Sequence, residues 1–197
     1  MLIVAVDVGI VNLGLVHVRA KAPGRYELLL ADRVNICEFR CGPGCPLHHE
    51  RIAADWVSHF LAEYRSTMES ADVVLVERQP PGGHRDVEQL IASALRSKVR
   101  LVHPRSVHSF IGMRGLDYDE RKAASVERAR KLFATAGPVA SALRQGRTHD
   151  VADAAVMVHY YCCRVVRSWR TDPPAKPSPG GALERFERFR YARRPPT

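Results

Sequence analysis

The chain has no apolar run approaching the roughly 20 residues that a membrane-spanning helix needs. Runs such as Val73–Val76 and Ala154–Val158 are much shorter. The N-terminus has no basic segment, and Asp7 falls where a secretory signal would continue apolar. Cysteine is also scarce: five residues, an odd number, are spaced unlike the disulfide framework of a secreted domain. We therefore expect an intracellular protein that does not associate with a membrane.

The composition is that of a folded domain with an excess of positive charge. In 197 residues, 46% are hydrophobic and 26% are charged, which excludes wholesale disorder. The net charge is +9, and the segment Arg164–Thr197, with nine Lys or Arg against three Asp or Glu, supplies six of those charges. A polyanion is the expected partner, because each phosphate contact releases counterions. The alternative is a tail that only keeps the protein soluble.

The order of the predicted elements indicates an α/β fold. Three antiparallel strands open the chain, and helices and strands alternate after them. The predicted strands are residues 1–8, Leu13–Arg19, Tyr26–Ala31, Ala71–Val76 and Val99–Val102, and the predicted helices are His49–Met68, Asp86–Lys98, Asp117–Phe133 and Thr148–Trp169, with a break at Gly137-Pro138. This order predicts a mixed five-stranded sheet, three antiparallel strands first, with helices on both faces.

We expect two regions along the chain. Residues 1–170 form the globular domain, and residues 171–197 form a Pro/Gly-rich linker and a basic tail. Within that tail, Leu183–Arg194 is expected to form a short helix on binding.

Four acidic residues are placed to meet at one edge of this sheet. Asp7 ends the first strand, Glu77 ends the fourth, and Asp150 and Asp153 are three apart on the last helix. Carboxylates so close raise one another's pKa unless a cation lies between them. Oxygen ligands suit Mg²⁺, and two ions about 4 Å apart would stabilise an in-line phosphodiester displacement.

Three of the four acids also have a simpler explanation. Asp7 before a glycine is typical of a turn, and Glu77 has Arg78 and Arg85 as possible surface partners. Asp150 near a helix start favours the helix dipole. Asp153 lies among small apolar residues, where a lone carboxylate needs a partner or a metal.

Three ordered motifs resemble a known family. The segments Ile3–Gly9, Val74–Gln79 and His149–Ala154 are similar to the RuvC-like Holliday junction resolvases of the RNase H superfamily, and above all to the poxvirus-type resolvases. In that group the strings Glu-Arg-Gln-Pro and Asp-Val-Ala-Asp are particularly similar. Tyr118–Lys122 and Ser125–Glu127 resemble the family's Arg-Lys segment. The resemblance spans residues 2–169 and implies an RNase H-like fold.

The resemblance also implies roles for individual residues. The catalytic metal ligands would be Asp7, Glu77, Asp150 and Asp153. Lys122 matches a lysine implicated in catalysis or phosphate binding; the alternative is a solvated helix residue.

Residues His84, Arg85, Arg121 and Lys122 are expected to contact nucleic acid. The bacterial relatives carry an aromatic residue shortly after the strand glutamate, whereas Pro80–Arg85 has none. For His84 and Arg85 the alternative is an exposed polar loop.

The implied activity is structure-selective cleavage of branched DNA. A homodimer holding two Mg²⁺ ions per site, with Mn²⁺ able to substitute, would nick paired strands of a four-way junction and leave 5′-phosphate and 3′-hydroxyl ends. No small-molecule cofactor is expected, and a poxvirus-like protein would act in the host cytoplasm. Three alternatives remain: a non-catalytic branched nucleic-acid-binding module, a nuclease acting on RNA, and an actin-like ATPase. The turn Asp7–Asn12 resembles the phosphate-binding hairpin of such ATPases, which need two such domains.

A second group of residues indicates a metal of another kind. Cys37, Cys41 and Cys45 with His48 or His49 would complete a tetrahedral zinc site, although three residues between successive cysteines depart from the usual two-residue knuckle. Reduced thiols or a disulfide are the alternatives. Cys162 and Cys163, in the final helix, are expected to pack in the core or at an interface.

Overall fold

The computed structural model describes residues 1–38, 41–133 and 148–166. The predicted break at Gly137-Pro138 and the whole tail from residue 171 lie outside these residues. The last helix, expected to continue to Trp169, ends at Arg164 within them. The described elements are β1 Leu2–Asp7, β2 Leu13–Ala22, β3 Arg25–Val34, α1 Ala53–Glu63, α2 Arg65–Ser70, β4 Val73–Glu77, α3 Arg85–Ala94, β5 Val99–Val102, α4 Pro104–Phe110, α5 Tyr118–Leu132 and α6 His149–Arg164.

The sheet has the strand order β3-β2-β1-β4-β5, which places β1 at its centre. Strand β2 pairs antiparallel with both β1 and β3, whereas β4 is parallel to β1 and β5 is parallel to β4. A parallel pair needs a crossover connection, which α1 and α2 supply before β4 and α3 supplies before β5. The predicted α/β fold is therefore confirmed.

Helices cover both faces of the sheet, which explains the continuous apolar run of β1. Its side chains alternate between two cores. Ile3 and Ala5 belong to the core that includes α5 and α6, and Val4 and Val6 belong to the core that includes α1 and α3. Side chains on both faces of β1 are thus buried, as in other sheets that are covered on two faces.

Two local features differ from the prediction. The single helix expected over His49–Met68 is two helices, which meet at Tyr64. The structure also contains α4, which the sequence analysis did not predict. Its first residue is Pro104, a residue that the first turn tolerates because no N–H is needed there.

The start of α5 agrees with the prediction. Asp117 caps the helix, its side chain accepting from the Glu120 N–H while the Glu120 carboxylate accepts from the Asp117 N–H. Within the described residues, no helix combines the length and the apolar character that crossing a membrane requires.

Candidate active site

The central parallel strands bring Asp7 and Glu77 side by side. Val6 of β1 is in register with Val76 of β4, so the residues that follow lie together at the carboxyl edge of the sheet. Asp7 is only 9% exposed, and it is within hydrogen-bonding reach of Glu77. A turn residue at the surface would not be buried in this way, so the simpler explanation of Asp7 does not account for its position.

Helix α6 delivers the other two carboxylates to the same edge. Its first turns pack against β2 at Gly14, where a Cβ atom would lie 2.2 Å from the Asp150 carbonyl oxygen. Only glycine permits this approach, which fixes the N-terminal end of α6 over the sheet. Asp150 is buried and faces His149, whose Nε2 lies 3.2 Å from Asp150 Oδ1.

Helix α5 adds a cation. Lys122 Nζ donates to Asp153 Oδ2 at 2.6 Å, and both side chains are mostly buried. The ammonium also lies 5.6 Å from the centre of the Tyr118 ring. Lys122 is therefore a member of the acidic cluster and not a solvated helix residue.

These side chains line one cavity of about 270 Å³. The four carboxylates share it with two cations, Arg121 and Lys122, which leaves a formal surplus of two negative charges. All four acids offer oxygen atoms, the ligands that Mg²⁺ and Mn²⁺ prefer. The donor set and its charge thus fit divalent cations. The lining residues are Asp7, Val8, Asn12, Glu77, His108, Tyr118, Arg121, Lys122, Asp150 and Asp153.

The electrostatics of the cavity oppose ionisation of its acids. Burial, and then the charges of Glu77 and Asp153, raise the pKa of Asp7 well above its usual value. Burial and the charge of Asp153 likewise raise the pKa of Glu77. Burial disfavours the charge of Lys122, but the neighbouring Asp153 and Asp7 outweigh it and raise the pKa of that ammonium. A bound cation would favour the ionised forms of Asp7 and Glu77, which burial disfavours.

A short hydrogen-bonded chain holds Glu77 in place. Gln79 Nε2 donates to Glu77 Oε2 at 2.9 Å, and the Gln79 backbone N–H donates to Glu88 Oε2 at 2.6 Å. Glu88 is 2% exposed on α3, so it anchors the strand end from within the protein. This gives a structural reason for the Glu-Arg-Gln-Pro string that the sequence analysis singled out.

The residues predicted to contact nucleic acid fall into two places. Arg121 and Lys122 line the acidic cavity. Arg85 lines a neighbouring groove of about 510 Å³ with Arg78 and Arg105, and His84 immediately precedes α3 beside it. We call this second cavity the basic groove; its lining residues are Arg78, Gln79, Pro80, Pro81, Arg85, His103, Pro104 and Arg105.

Sequence reasoning missed three polar residues of the acidic cavity: Asn12, His108 and Tyr118. His108 lies on the unpredicted helix α4, and burial lowers its pKa, which favours the neutral imidazole. Tyr118 is part of the resembling segment but received no role. A signal for His108 was available, because Pro104 directly after a strand is typical of a helix start.

The predicted cysteine–histidine group is partly wrong in its membership. Cys41, Cys45 and His49 come together, but the fourth residue is His59 of α1, not Cys37 or His48. Cys37 instead directs its thiol to Asn35 Oδ1 at 2.9 Å. The sequence does not connect His59 with this group, because His59 lies ten positions beyond His49 within a predicted helix and no local spacing links the two.

Cys162 packs as predicted. Its side chain is fully buried in the core that includes α5 and α6. Its neighbour Cys163 is half-buried and lies near His159.

Solved structures share this fold at low sequence identity. Thermus thermophilus RuvC is 19% identical, with a TM-score of 0.53 over 82% of this chain and 95% of its own. The fowlpox virus resolvase, in complex with its substrate Holliday junction DNA, is 17% identical, with a TM-score of 0.56 over 78% and 91%. The yeast mitochondrial Holliday junction resolvase is 15% identical, with a TM-score of 0.59 over 81% and 78%.

The family follows from the sequence match. No curated protein sequence matches the chain significantly. A family model described as the Poxvirus A22 protein matches residues 1–164, more than four-fifths of the chain. This match confirms the poxvirus-type resemblance of the three motifs, and the chain belongs to the Poxvirus A22 protein family.

Proposed function

We propose that this protein is a metal-dependent endodeoxyribonuclease that resolves Holliday junctions and related branched DNA by paired nicking. The observation that carries the proposal is the convergence of Asp7, Glu77, Asp150 and Asp153 beside Lys122 in one cavity. A binding module would gain nothing from four acids next to DNA, because they repel phosphate. The family match and the shared fold of the fowlpox virus resolvase support junction DNA as the substrate.

The four carboxylates are the proposed ligands of Mg²⁺, for which Mn²⁺ can substitute, with two ions per site. When bound, such ions lower the pKa of a coordinated water and neutralise charge on the scissile phosphate. The protein supplies the fixed positions: β1 and β4 hold Asp7 and Glu77, and α6 holds Asp150 and Asp153. The expected products carry 5′-phosphate and 3′-hydroxyl ends.

Lys122 is the proposed phosphate contact within the cavity. Its ammonium is held at Asp153 and lies within the field of Asp7, so it stays protonated at neutral pH. A compact positive charge in a partly buried site stabilises the negative charge that develops on a phosphoryl oxygen. Arg121, one residue earlier, adds a second cation to the same wall.

The basic groove is the proposed path of the DNA backbone away from the cavity. Arg78, Arg85 and Arg105 line it, and Arg78 follows Glu77 directly in the chain. Arginine contacts to phosphates position DNA without reading its sequence. Binding through this groove predicts a strong dependence on salt. His84, beside the groove, is a further proposed contact.

We propose a homodimer, with residues 1–170 as the nuclease domain and the basic residues of 171–197 as additional DNA contacts. A four-way junction has two-fold symmetry, so a two-fold dimer presents one site to each of two opposing strands. For a protein of this poxvirus family, the host cytoplasm is the proposed place of action.

The test compares cleavage of a labelled four-way junction with that of a linear duplex and an RNA–DNA hybrid. Wild type and Asp153→Asn are assayed at fixed salt, with Mg²⁺, with Mn²⁺ and without divalent cations. Asp119→Asn is the matched control, because Asp119 is an exposed acid at the start of α5, outside the cavity. We expect paired nicks on the junction that need metal and are lost only in Asp153→Asn.

The other outcomes contradict parts of the proposal. Tight junction binding without cleavage under any metal would leave a binding module. Preferential cleavage of the hybrid would indicate an RNA nuclease. Equal loss in Asp153→Asn and Asp119→Asn would remove the acidic cavity from the mechanism.

A further inference from the structure

A second group of potential metal ligands lies apart from the acidic cavity. Cys41, Cys45, His49 and His59, which we call the Cys-His cluster, each offer one ligand atom, and the four atoms lie within 4.8 Å of one another. None of these residues lines the acidic cavity. The cluster joins the connection between β3 and α1 to α1 itself, since His59 belongs to that helix.

Three of the six separations in the cluster are close to those of a tetrahedron around one ion. Cys41 Sγ lies 3.1 Å from His49 Nε2, Cys45 Sγ lies 3.6 Å from His59 Nε2, and the two Nε2 atoms are 3.2 Å apart. Zinc bonds of about 2.0 Å to nitrogen and 2.3 Å to sulfur imply ligand-to-ligand distances of about 3.3–3.8 Å. The observed distances lie close to this range without any rearrangement of the loop.

The orientation of His59 is that of a metal ligand. Its Nδ1 lies 2.8 Å from the Asp55 carbonyl oxygen, which only accepts hydrogen bonds. Nδ1 therefore carries the hydrogen, and Nε2 directs its lone pair into the cluster. Metal-binding histidines commonly use a carbonyl in this way to fix tautomer and ring angle. His59 is also only 8% exposed, so its ring is held by the protein and not by solvent.

We propose that Cys41, Cys45, His49 and His59 bind one structural Zn²⁺. Two thiolates and two imidazoles in tetrahedral arrangement are a common structural zinc set and differ from the oxygen set of the acidic cavity. All four positions are filled by protein atoms, which leaves no open position for a substrate or a reactive water.

The ion would fix a connection that lacks regular secondary structure in its described part. Between β3 and α1, the described residues form no helix or strand. The connection leaves the sheet at the edge that carries the acidic cavity, because Val34 at the end of β3 pairs with Leu13. Immediately afterwards the Ile36 N–H donates to the Ile10 carbonyl, in the turn that follows Asp7. A zinc ion would therefore tie this loop to the middle of α1, beside the edge that carries the acidic cavity.

The experiment measures metal content and Co²⁺ spectra of the full chain purified under reducing conditions. We expect one zinc per chain and, after exchange, one Co²⁺ with the visible absorption of a tetrahedral site and a thiolate charge-transfer band. Cys45→Ser and His59→Ala should lose the ion. Cys37→Ser and His48→Ala are matched controls from the same loop and should retain it.

A ligand-swap variant keeps the test valid if the loss variants fold poorly. His49→Cys should still bind one Co²⁺, with a charge-transfer band about half as strong again, because three thiolates replace two. Asp153→Asn should retain its zinc whether or not it cleaves DNA, so this proposal and the proposed nuclease activity fail independently.

Three results would overturn the inference. The first is no saturable Co²⁺ or Zn²⁺ binding by reduced wild type. The second is a Cys41–Cys45 disulfide in protein purified without a chelator, detected because the mass of the linked peptides is lower by two hydrogens. The third is a loss of the ion from Cys37→Ser or His48→Ala equal to that from Cys45→Ser.

Discussion

The acidic cavity and the Cys-His cluster differ in what holds their side chains together. In the cavity, the sheet and two helices bring four acids together, and burial raises the pKa of Asp7 and of Glu77. In the cluster, the ligands come from an irregular loop and one helix, and a shared ion would itself supply the restraint. The fold thus forms the first site at a cost in stability, whereas the second site would stabilise the fold. Substitutions in the cavity are therefore expected to lower activity and raise stability, whereas substitutions in the cluster are expected to lower stability.

The largest expected effect is on catalysis in Asp7→Asn. Losing one ligand at the centre of the site should lower the cleavage rate about 10³-fold or more. The same variant should be more stable than wild type by about 1–2 kcal/mol in buffer without divalent cations. The pKa of Asp7 is raised in the folded chain, so the stability that its carboxyl contributes below its unfolded pKa is lost as pH rises through the folded pKa.

Denaturant unfolding between pH 4 and pH 8 measures this contribution, since Asn does not titrate. The lower limit is set by the usual Asp pKa of about 3.9. The advantage of Asp7→Asn should grow with pH. An advantage that stays constant, or a variant less stable than wild type at neutral pH, would show that burial of Asp7 carries no such cost. Asp119→Asn serves as the control for an exposed acid.

The next largest expected effect is on Tm, which should respond differently when metal is removed from the cavity and from the cluster. Dialysis into Mg²⁺-free buffer should lower Tm by about 5 °C at most, since a cation at about ten times its Kd contributes only about 1.4 kcal/mol and the fold itself forms the cavity. A zinc-selective chelator should lower it by about 10 °C, since an ion at about 1,000 times its Kd contributes about 4 kcal/mol. Thermal unfolding of wild type and Cys41→Ser checks this. A chelator that lowers Tm equally in the variant would place its target elsewhere.

The sequence predicts the acidic cavity better than the cluster for a physical reason. Asp7 and Glu77 follow apolar runs that become strands, and Asp150 and Asp153 share a helix face, so regular geometry places all four. His59 has no such relation to Cys41, because the loop between β3 and α1 has no regular periodicity that would predict where its residues lie. His108 was missed because α4 is seven residues long, too short for a clear periodicity.

Other contributions depend on packing that a sequence pattern does not encode. In the sequence, Gly14 is an ordinary strand residue, and its role in letting α6 approach the sheet is evident only from the packing. Glu88 lies on the face of a helix predicted only from its apolar positions, and its bond to the Gln79 backbone becomes visible once α3 is placed beside β4. The basic tail lies outside the described residues, so its role stays a prediction.

Glu88 should have an intermediate effect, as a positioning residue for Glu77. Glu88→Leu removes the acceptor of the Gln79 N–H and should raise the Mg²⁺ concentration for half-maximal cleavage about 10–100-fold. Glu88→Gln retains an acceptor oxygen and should restore most of the affinity. Cleavage rates over a Mg²⁺ titration are the measurement. A lower rate at saturating Mg²⁺ with an unchanged midpoint, or no rescue by Gln, would argue for a purely structural role.

The smallest expected effect is on thiol reactivity. It allows the core and the Cys-His cluster to be compared within one molecule. Cys162 is fully buried, and burial raises its pKa to about 12, so almost no thiolate forms at neutral pH. It should resist alkylation with or without chelator. Cys41 and Cys45 should be protected while zinc is bound and react once it is removed, whereas Cys37 should react at the same rate in both states. Mass spectrometry of iodoacetamide-treated peptides resolves the three patterns. Equal labelling of Cys41 and Cys37 before chelation would mean that Cys41 is not a metal-bound thiolate, because coordination lowers the nucleophilicity of the sulfur.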